Sequence, residues 1–181
     1  MKILIGIPTN RGLKPKTVKS LVDMIAFSDH EFVTVMATEG YTTAENRNYI
    51  AVQALRQECD YVLMVDDDMI FPKDTLEKLL AVDRAIVGVA SNSRTLPLST
   101  TVSRMDEQGN YVHPDTLTEE EKVLPTEPFK AYGVGGGVLL IDINVFKLVE
   151  RPWFLFTPDP ITGQMLIGED QYFCTRAKEK G

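Results

Sequence analysis

The sequence predicts a single α/β domain in which helices flank a mostly parallel central sheet. The chain has 181 residues, of which 44% are hydrophobic and 25% are charged, so it can bury one sizeable core. Its first half alternates short apolar runs with segments of helical spacing, in the order β-α-β-α-β-α-β. That order is typical of a parallel sheet with right-handed crossovers. The third apolar run ends in three aspartates, at the edge where open sheets bind ligands.

The first strand and helix follow from an apolar run and a proline. Residues 2–8 predict a buried strand. Pro15 then marks the start of a helix, because proline is favoured in the first helical turn. The predicted buried face of this helix consists of apolar residues at helical spacing, Val18, Leu21, Val22 and Ile25.

The second strand and helix are predicted over residues 31–37 and from Thr42 onwards. Glu45 stands three residues after Thr42, and this spacing is typical of a capping box at a helix start. The helix is expected to bury a set of apolar side chains, Ile50, Ala51, Ala54 and Leu55.

The third strand covers residues 61–65 and is almost continuously apolar, as a strand covered on both faces should be. Asp74 and Glu77 then indicate another helix start. Residues 85–90 predict the fourth strand of the sheet.

The second half of the chain has a different pattern. A hairpin is predicted from 100–104 and 110–113, followed by an acidic, proline-containing surface excursion over 115–128. Glycine-rich residues 133–137 lead into an apolar strand that ends at Asp142. The remaining predicted elements are a short helix over 144–149, a loop over 151–167 and a helix over 169–180.

Composition excludes several function classes. The net charge is −7, and no basic stripe suited to phosphate backbones is present, so nucleic acid is not an expected partner. Cys59 and Cys174 lack metal-ligand spacing, which favours reduced, structural cysteines and a cytoplasmic location. We expect no signal peptide, and no apolar run approaches the length of a membrane span.

The run Asp66-Asp67-Asp68 is costly at the end of a buried strand. Two like charges about 4 Å apart repel by roughly 4 kcal/mol at an effective dielectric near 20. One interpretation is a solvated turn or helix cap. The other is a divalent cation, Mn²⁺ or Mg²⁺, which prefers oxygen ligands and relieves the repulsion. Because side chains alternate along a strand, Asp66 and Asp68 are expected on one side, and Asp67 on the other, where it can bond backbone amides.

An apolar strand ending in Asp-x-Asp, followed by Phe71-Pro72 and a helix, resembles the nucleotide-sugar glycosyltransferases of GT-A fold. The sequence is most similar to the inverting, family-two-like group. Further segments resemble that group in the same order along nearly the whole chain, namely 5–9, 44–48, 135–142, 152–154 and 168–173. The resemblance implies one catalytic domain over 1–181, with a nucleotide-binding half (1–92) and an acceptor-side half (93–181).

The resemblance also implies the residues of the donor site. Pro8 and Thr9 would line the nucleobase and ribose pocket. Arg47 matches a basic residue near the nucleotide, and its helical spacing to Ile50 and Ala51 independently places it on a buried face, where a cation is paired or functional. The alternative is an arginine that reaches a surface carboxylate.

The resemblance implies different contacts with the metal and the donor for each of the three aspartates. Asp66 would contact ribose or metal, and Asp68 would bind the metal that bridges the diphosphate. Asp67 would join the nucleotide-sugar-binding residues.

On the acceptor side, the resemblance implies that Asp170 is the general base. The alternative for Glu169 and Asp170 is that acids are simply favoured in a first helical turn. Glu169 either touches acceptor hydroxyls or orders the loop, and Trp153 either stacks on a sugar or fills the core edge. Gly136 belongs to a glycine run that would let the backbone approach a ligand closely.

The expected partners are a UDP- or GDP-linked sugar and a hydroxyl acceptor on a glycan or glycosylated molecule. The family commonly has a histidine metal ligand after the Glu-Asp helix, and the sequence ends at Gly181 before that position, which is compatible with a truncated chain. His30 and His113 are not in matching positions and are expected at the surface. Two rival functions stay open: a nucleotide-sugar or carbohydrate binding module, and a sugar-phosphate nucleotidyltransferase.

Overall fold

The computed structural model describes residues 1–37, 42–92, 100–112, 120, 123–158, 161–163 and 165–181. In chain order the strands are β1 (Lys2–Pro8), β2 (Glu31–Ala37), β3 (Tyr61–Val65), β4 (Ile86–Gly88), β5 (Val102–Met105), β6 (Tyr111–Val112), β7 (Gly133–Val134), β8 (Val138–Asp142), β9 (Thr157–Pro158) and β10 (Met165–Ile167). The helices are α1 (Pro15–Phe27), α2 (Thr43–Arg56), α3 (Thr75–Ala81), α4 (Val145–Leu148) and α5 (Glu169–Lys178).

The central sheet is mixed rather than purely parallel. Its five strands lie in the order β2-β1-β3-β8-β4. The β1–β2 and β1–β3 pairs are parallel, whereas β8 pairs antiparallel with both β3 and β4. The four strands of the first half therefore share one direction, as the sequence predicts. The difference is β8, a strand from the second half that lies between two of them in the opposite direction.

Two apolar cores cover the two faces of this sheet. Alternate residues of β3 enter different cores: Val62 and Met64 pack with α2 on one face, and Leu63 and Val65 pack with α1 and α3 on the other. This alternation is why β3 is apolar along its whole length. A layer of helices on each face leaves the carboxyl ends of the strands as the edge on which loops can form a site.

The sequence prediction is accurate for most elements of the first half. The strands β1, β2 and β3 have the predicted bounds, and α1 begins at Pro15. Thr42 and Glu45 form the predicted capping box, with the Glu45 amide donating to Thr42 Oγ1 at 3.3 Å and the Thr42 amide donating to Glu45 Oε2 at 2.9 Å. The strand β4 is shorter than predicted.

The buried face of α1 differs from the prediction. Of the four apolar residues assigned to it, Leu21 is buried, but Val18, Val22 and Ile25 are 41%, 57% and 37% exposed. Thr17 and Ser20 are buried instead. Their hydroxyls bond backbone groups of the loop that follows β3: Thr17 donates to the Asp67 carbonyl at 3.0 Å, and Ser20 accepts from the Phe71 amide at 3.1 Å.

In the second half, β5 and β6 form the predicted hairpin, although His113 and most of 113–122 lie outside the described residues. The strands β9 and β10 form a small antiparallel pair within the segment that the sequence predicts to be a loop. Among the described residues, no helix combines the length and the apolar character needed to cross a membrane. Both cysteines are free and buried, and burial raises the pKa of Cys174 to about 11.

Candidate active site

A cleft of about 380 Å³ opens at the carboxyl end of β3. Three aspartates line it, Asp66 and Asp68 from the turn after β3 and Asp170 from the first turn of α5. The rest of the described lining consists of Met69, the glycine run before β8 and three polar residues, Ser91, Asn92 and Thr101. The sheet therefore brings together two predicted metal ligands and the predicted base from segments about 100 residues apart.

Arg47 is the residue that connects these segments. Its side chain lies in the first half of α2 and is 2% exposed. The guanidinium donates from Nη2 to Asp66 Oδ1 at 2.8 Å, from Nη1 to the Gly136 carbonyl at 3.2 Å and from Nε to Glu169 Oε1 at 3.1 Å. One buried cation thus fixes the end of β3, the glycine run and the start of α5 relative to one another.

The cleft carries excess negative charge. Burial raises the pKa of Asp66; Arg47 opposes this shift, while Asp68 and Asp170 add to it. Burial likewise raises the pKa of Glu169, again against the effect of Arg47. Burial alone would lower the pKa of Arg47, but the surrounding carboxylates outweigh it and raise the pKa. Arg47 is therefore a permanent cation that offsets only part of the charge around it.

The backbone of the glycine run orients Asp170. The Gly136 amide donates to Asp170 Oδ2 at 2.9 Å, and the Gln171 amide donates to Oδ1 at 2.7 Å. A Cβ on residue 136 would lie 2.2 Å from Arg47 Nη2, so this position requires glycine. Gly136 thus allows close approach of the Arg47 guanidinium, and because it also lines the cleft, the predicted approach of an acceptor to it stays a prediction.

Asp67 is turned away from the cleft, as strand alternation predicts, but its contacts differ from those expected. Its Oδ2 accepts from the Thr9 hydroxyl at 2.5 Å rather than from backbone amides. Its carbonyl accepts from the Lys14 amide at 2.9 Å. Asp67 therefore joins the β1–α1 loop to the turn after β3.

The structure gives Thr9 and Pro8 supporting positions. Both are buried, and the Thr9 hydroxyl also accepts from the amides of Arg11 and Gly12, at 3.2 and 2.9 Å. These contacts and the bond to Asp67 occupy the hydroxyl. Any contribution of this loop to a ribose or base pocket would have to come from other atoms.

Two further assigned residues, Arg47 and Glu169, also face inward. Arg47 is 2% exposed and bonds Asp66, Gly136 and Glu169, so the structure shows it as a positioning residue, and its contact with a nucleotide stays a prediction. Glu169 is 8% exposed and orders the loop, which is one of the two alternatives for it. The assignment of Glu169 to acceptor contact is corrected accordingly.

Trp153 belongs to the core. It is 2% exposed, and its Nε1 donates to the carbonyls of Phe146 and Val149 at 3.1 and 2.9 Å. Its ring lies edge-on to Phe146, with centroids 5.2 Å apart. The assignment of Trp153 to the acceptor side is therefore wrong, because its ring is buried and its indole N–H is bonded to backbone carbonyls.

Ser91, Asn92 and Thr101 are site residues that the sequence analysis did not identify. Ser91 Oγ and Thr101 Oγ1 lie 3.0 Å apart and share a hydrogen bond, so this part of the cleft lining presents neutral polar groups. Ser91 and Asn92 follow the fourth strand at the same edge as Asp66. The rule that ligands bind beyond strand carboxyl ends would have found them.

The donor set fits a partial metal site. Among the described residues, no three His, Cys, Asp or Glu side chains form a group that could hold an ion by themselves. Mg²⁺ and Mn²⁺ are often bound by one or two carboxylates, with waters and substrate phosphates as the other ligands. Asp66 and Asp68 fit that pattern, although Asp66 Oδ1 is already bonded to Arg47 and Lys14 Nζ lies 3.5 Å from Asp68 Oδ2. His30 lies 3.5 Å from Glu77, and it is not among the residues that line the cleft.

Comparison with known proteins identifies a structural neighbour. No protein-family model matches the chain, and no curated protein sequence matches it. The crystal structure of A197 from STIV is similar in fold, with a TM-score of 0.63 and 21% sequence identity over 98% of this chain and 78% of that chain. At this identity the similarity concerns the fold alone: a mixed central sheet flanked by helices.

Proposed function

We propose that the chain is an inverting, metal-assisted glycosyltransferase of GT-A fold that takes a UDP- or GDP-linked sugar. The observation that carries the proposal is the junction made by Arg47. It holds the Asp-x-Asp turn beside the start of α5, so Asp66, Asp68 and Asp170 line one cleft. A metal-bound diphosphate and a base that act on one transferred sugar would have to share a cleft, and this arrangement supports the proposal.

The cleft is poorly suited to a bare diphosphate. Its described lining includes three carboxylates and neither lysine nor arginine. A divalent cation held by Asp66 and Asp68 would neutralise the charge that develops on the departing diphosphate. The donor would therefore bind together with the cation, and a nucleotide alone would bind weakly.

In the proposed reaction, the acceptor hydroxyl oxygen attacks the anomeric carbon and forms the new C–O bond. The bond from that carbon to the diphosphate oxygen breaks, and its electron pair leaves with the nucleoside diphosphate. Asp170 takes the hydroxyl proton. A single displacement inverts the anomeric configuration. The Gly136 amide fixes Asp170 Oδ2 at 2.9 Å, so the carboxylate would be oriented before the acceptor arrives.

Calorimetric titration tests the proposal. UDP and GDP are titrated into the protein with and without Mn²⁺, and also into Asp68→Ala and an Asp29→Ala control, which removes an exposed carboxylate outside the cleft lining. We expect metal-dependent binding that Asp68→Ala abolishes and Asp29→Ala leaves unchanged. Metal-independent binding, or equal binding to Asp68→Ala, would contradict the metal assignment. The absence of binding to either nucleotide would contradict the function, and binding without turnover would identify a binding module.

A further inference from the structure

A second, larger concavity of about 1,030 Å³ follows the edge of the sheet at β4. We call it the edge groove. Most of its described lining is apolar. Examples are Val82, Val87, Val102, Leu148 and Ala177. Leu148 is 64% exposed within it. An apolar concavity of this volume is at the upper end of the range for small-molecule sites.

The edge groove lies beside the proposed active-site cleft. Three segments contribute to both linings. Residues 88–90, Val102 and 133–134 line the groove, and the residues next to them in sequence, 91–92, Thr101 and 135–137, line the cleft. The two concavities share no lining residue, so they are neighbours: the cleft is polar at the aspartates, and the groove is mostly apolar.

The charge of the edge groove is opposite to that of the whole chain. Its described lining carries five basic side chains and one acidic side chain, whereas the net charge of the chain is −7. The charged residues are Lys78, Arg84, Lys130, Lys178, Lys180 and Glu127. Lys78 is paired with Asp74 at 2.8 Å. The surplus of positive charge favours a neutral or anionic occupant over a cationic one.

We propose that the edge groove binds the apolar chain of the acceptor, so that the acceptor is an amphiphile whose hydroxyl end reaches the cleft. This inference rests on the proposed function for the identity of the occupant. It is supported by the position of the groove beside the cleft, by its apolar lining and by the surplus of basic side chains in that lining. It narrows the acceptor from any hydroxyl-bearing glycan to one attached to a neutral or anionic apolar chain.

An alkyl glucoside series tests this proposal without nucleotide. Hexyl, heptyl and octyl glucoside are titrated below their micelle concentrations, with glucose as the reference without a chain. Affinity should rise about fourfold per added methylene group, because each is transferred from water to an apolar lining. Leu148→Gln should weaken octyl glucoside binding roughly fivefold. Val22→Gln alters an apolar residue on α1 that is 57% exposed, against 64% for Leu148, and should leave octyl glucoside binding unchanged.

Two further titrations test the charge preference of the groove and its independence from the nucleotide site. Octyl phosphate should bind more tightly than octyltrimethylammonium, and the difference should shrink as salt increases. Octyl glucoside should also bind in the presence of saturating nucleotide and Mn²⁺, because the groove lies beside the cleft. Affinity that is independent of chain length, equal losses in both variants, or competition with nucleotide would overturn the proposal. Concentration-dependent dimerisation lost in Leu148→Gln would also overturn it, since the groove would then bind a second copy. The nucleotide titration is a separate measurement, so failure of the groove and failure of the proposed function can be distinguished.

Discussion

Arg47 and Glu169 are 122 residues apart in the chain and form a buried ion pair, with Nε and Oε1 separated by 3.1 Å. The same guanidinium bonds Asp66 at 2.8 Å. The cation is fully enclosed, whereas Asp66 is 36% exposed on the side of the cleft. This ion pair therefore belongs both to the core and to the proposed active site.

Loss of Arg47 should destabilise the fold strongly. Arg47→Met keeps the length of the side chain but leaves two carboxylates without their cation, one of them buried. Removing one partner of a buried ion pair typically costs about 3–5 kcal/mol. Arg56→Met, at the exposed end of the same helix, should change the free energy of unfolding by less than about 0.5 kcal/mol. Urea denaturation followed by circular dichroism compares Arg47→Met with Arg56→Met. Equal stability of the two variants would argue against a stabilising role for the bonds that Arg47 makes.

The stability contributed by Glu169 should fall as the pH rises. Burial raises the pKa of Glu169 above its ordinary value of 4.5, so the folded chain holds this proton more tightly than the unfolded chain does. The contribution is complete below pH 4.5 and is lost as the pH rises through the raised pKa. Wild type and Glu169→Gln are compared by urea midpoints between pH 4 and pH 8.

Glu45 is a control for which the expected pH dependence of stability has the opposite sign. Its bonds to the Thr42 amide and hydroxyl lower its pKa, so its contribution is present above 4.5 and is lost as the pH falls. The free energy of unfolding of wild type minus that of Glu45→Gln should therefore grow with pH. The same difference for Glu169→Gln should shrink. Parallel trends for the two variants would contradict the electrostatic account of Glu169.

Gly136→Ala should disrupt the site more than Gly137→Ala. The new methyl group at 136 would lie 2.2 Å from Arg47 Nη2 and 2.5 Å from Cζ, so a bonded, buried guanidinium must move. At 137 the nearest atoms, 3.1 Å away, belong to the flexible end of Met69. We expect a loss of about 1–3 kcal/mol for Gly136→Ala and a smaller one for Gly137→Ala. Thermal denaturation measures both, and the reverse order would contradict the geometry.

Asp170→Asn should separate binding from chemistry. The amide oxygen can still accept from the Gly136 N–H, but the side chain can no longer take a proton. General-base catalysis contributes about 10²–10⁴-fold, so sugar transfer should fall by that factor while nucleotide affinity is retained. The readouts are a product assay and a nucleotide titration, with Asp29→Asn as the exposed control. A fully active variant would exclude Asp170 as the base.

The parts of the fold that sequence predicts well depend on local signals. Pro15 and the Thr42–Glu45 capping box predict the helix starts correctly, because their bonds form within a few residues. Alternation correctly separates Asp67 from Asp66 and Asp68 for the same reason. The position of β8 is different: its antiparallel place between β3 and β4 depends on strands that lie far apart in the chain.

Distant partners also explain the misassigned side chains. Thr17 and Ser20 replace the apolar residues on the inner face of α1 because backbone groups after β3 need hydrogen-bond partners there. Trp153 looks like a ligand-stacking residue until Phe146 and Val149 are seen to accept from its indole. The sequence predicts that Arg47 is buried, but only the structure shows that it bonds Gly136 and Glu169.

The junction at Arg47 also constrains how this protein can diverge. Asp66, Gly136 and Glu169 each contact the same side chain, so a change at any one alters what the others will tolerate. A lineage that replaced Arg47 would need compensating changes in three separate segments at nearly the same time. These four positions should therefore co-vary or remain fixed together among descendants, while exposed residues such as Val22 drift independently.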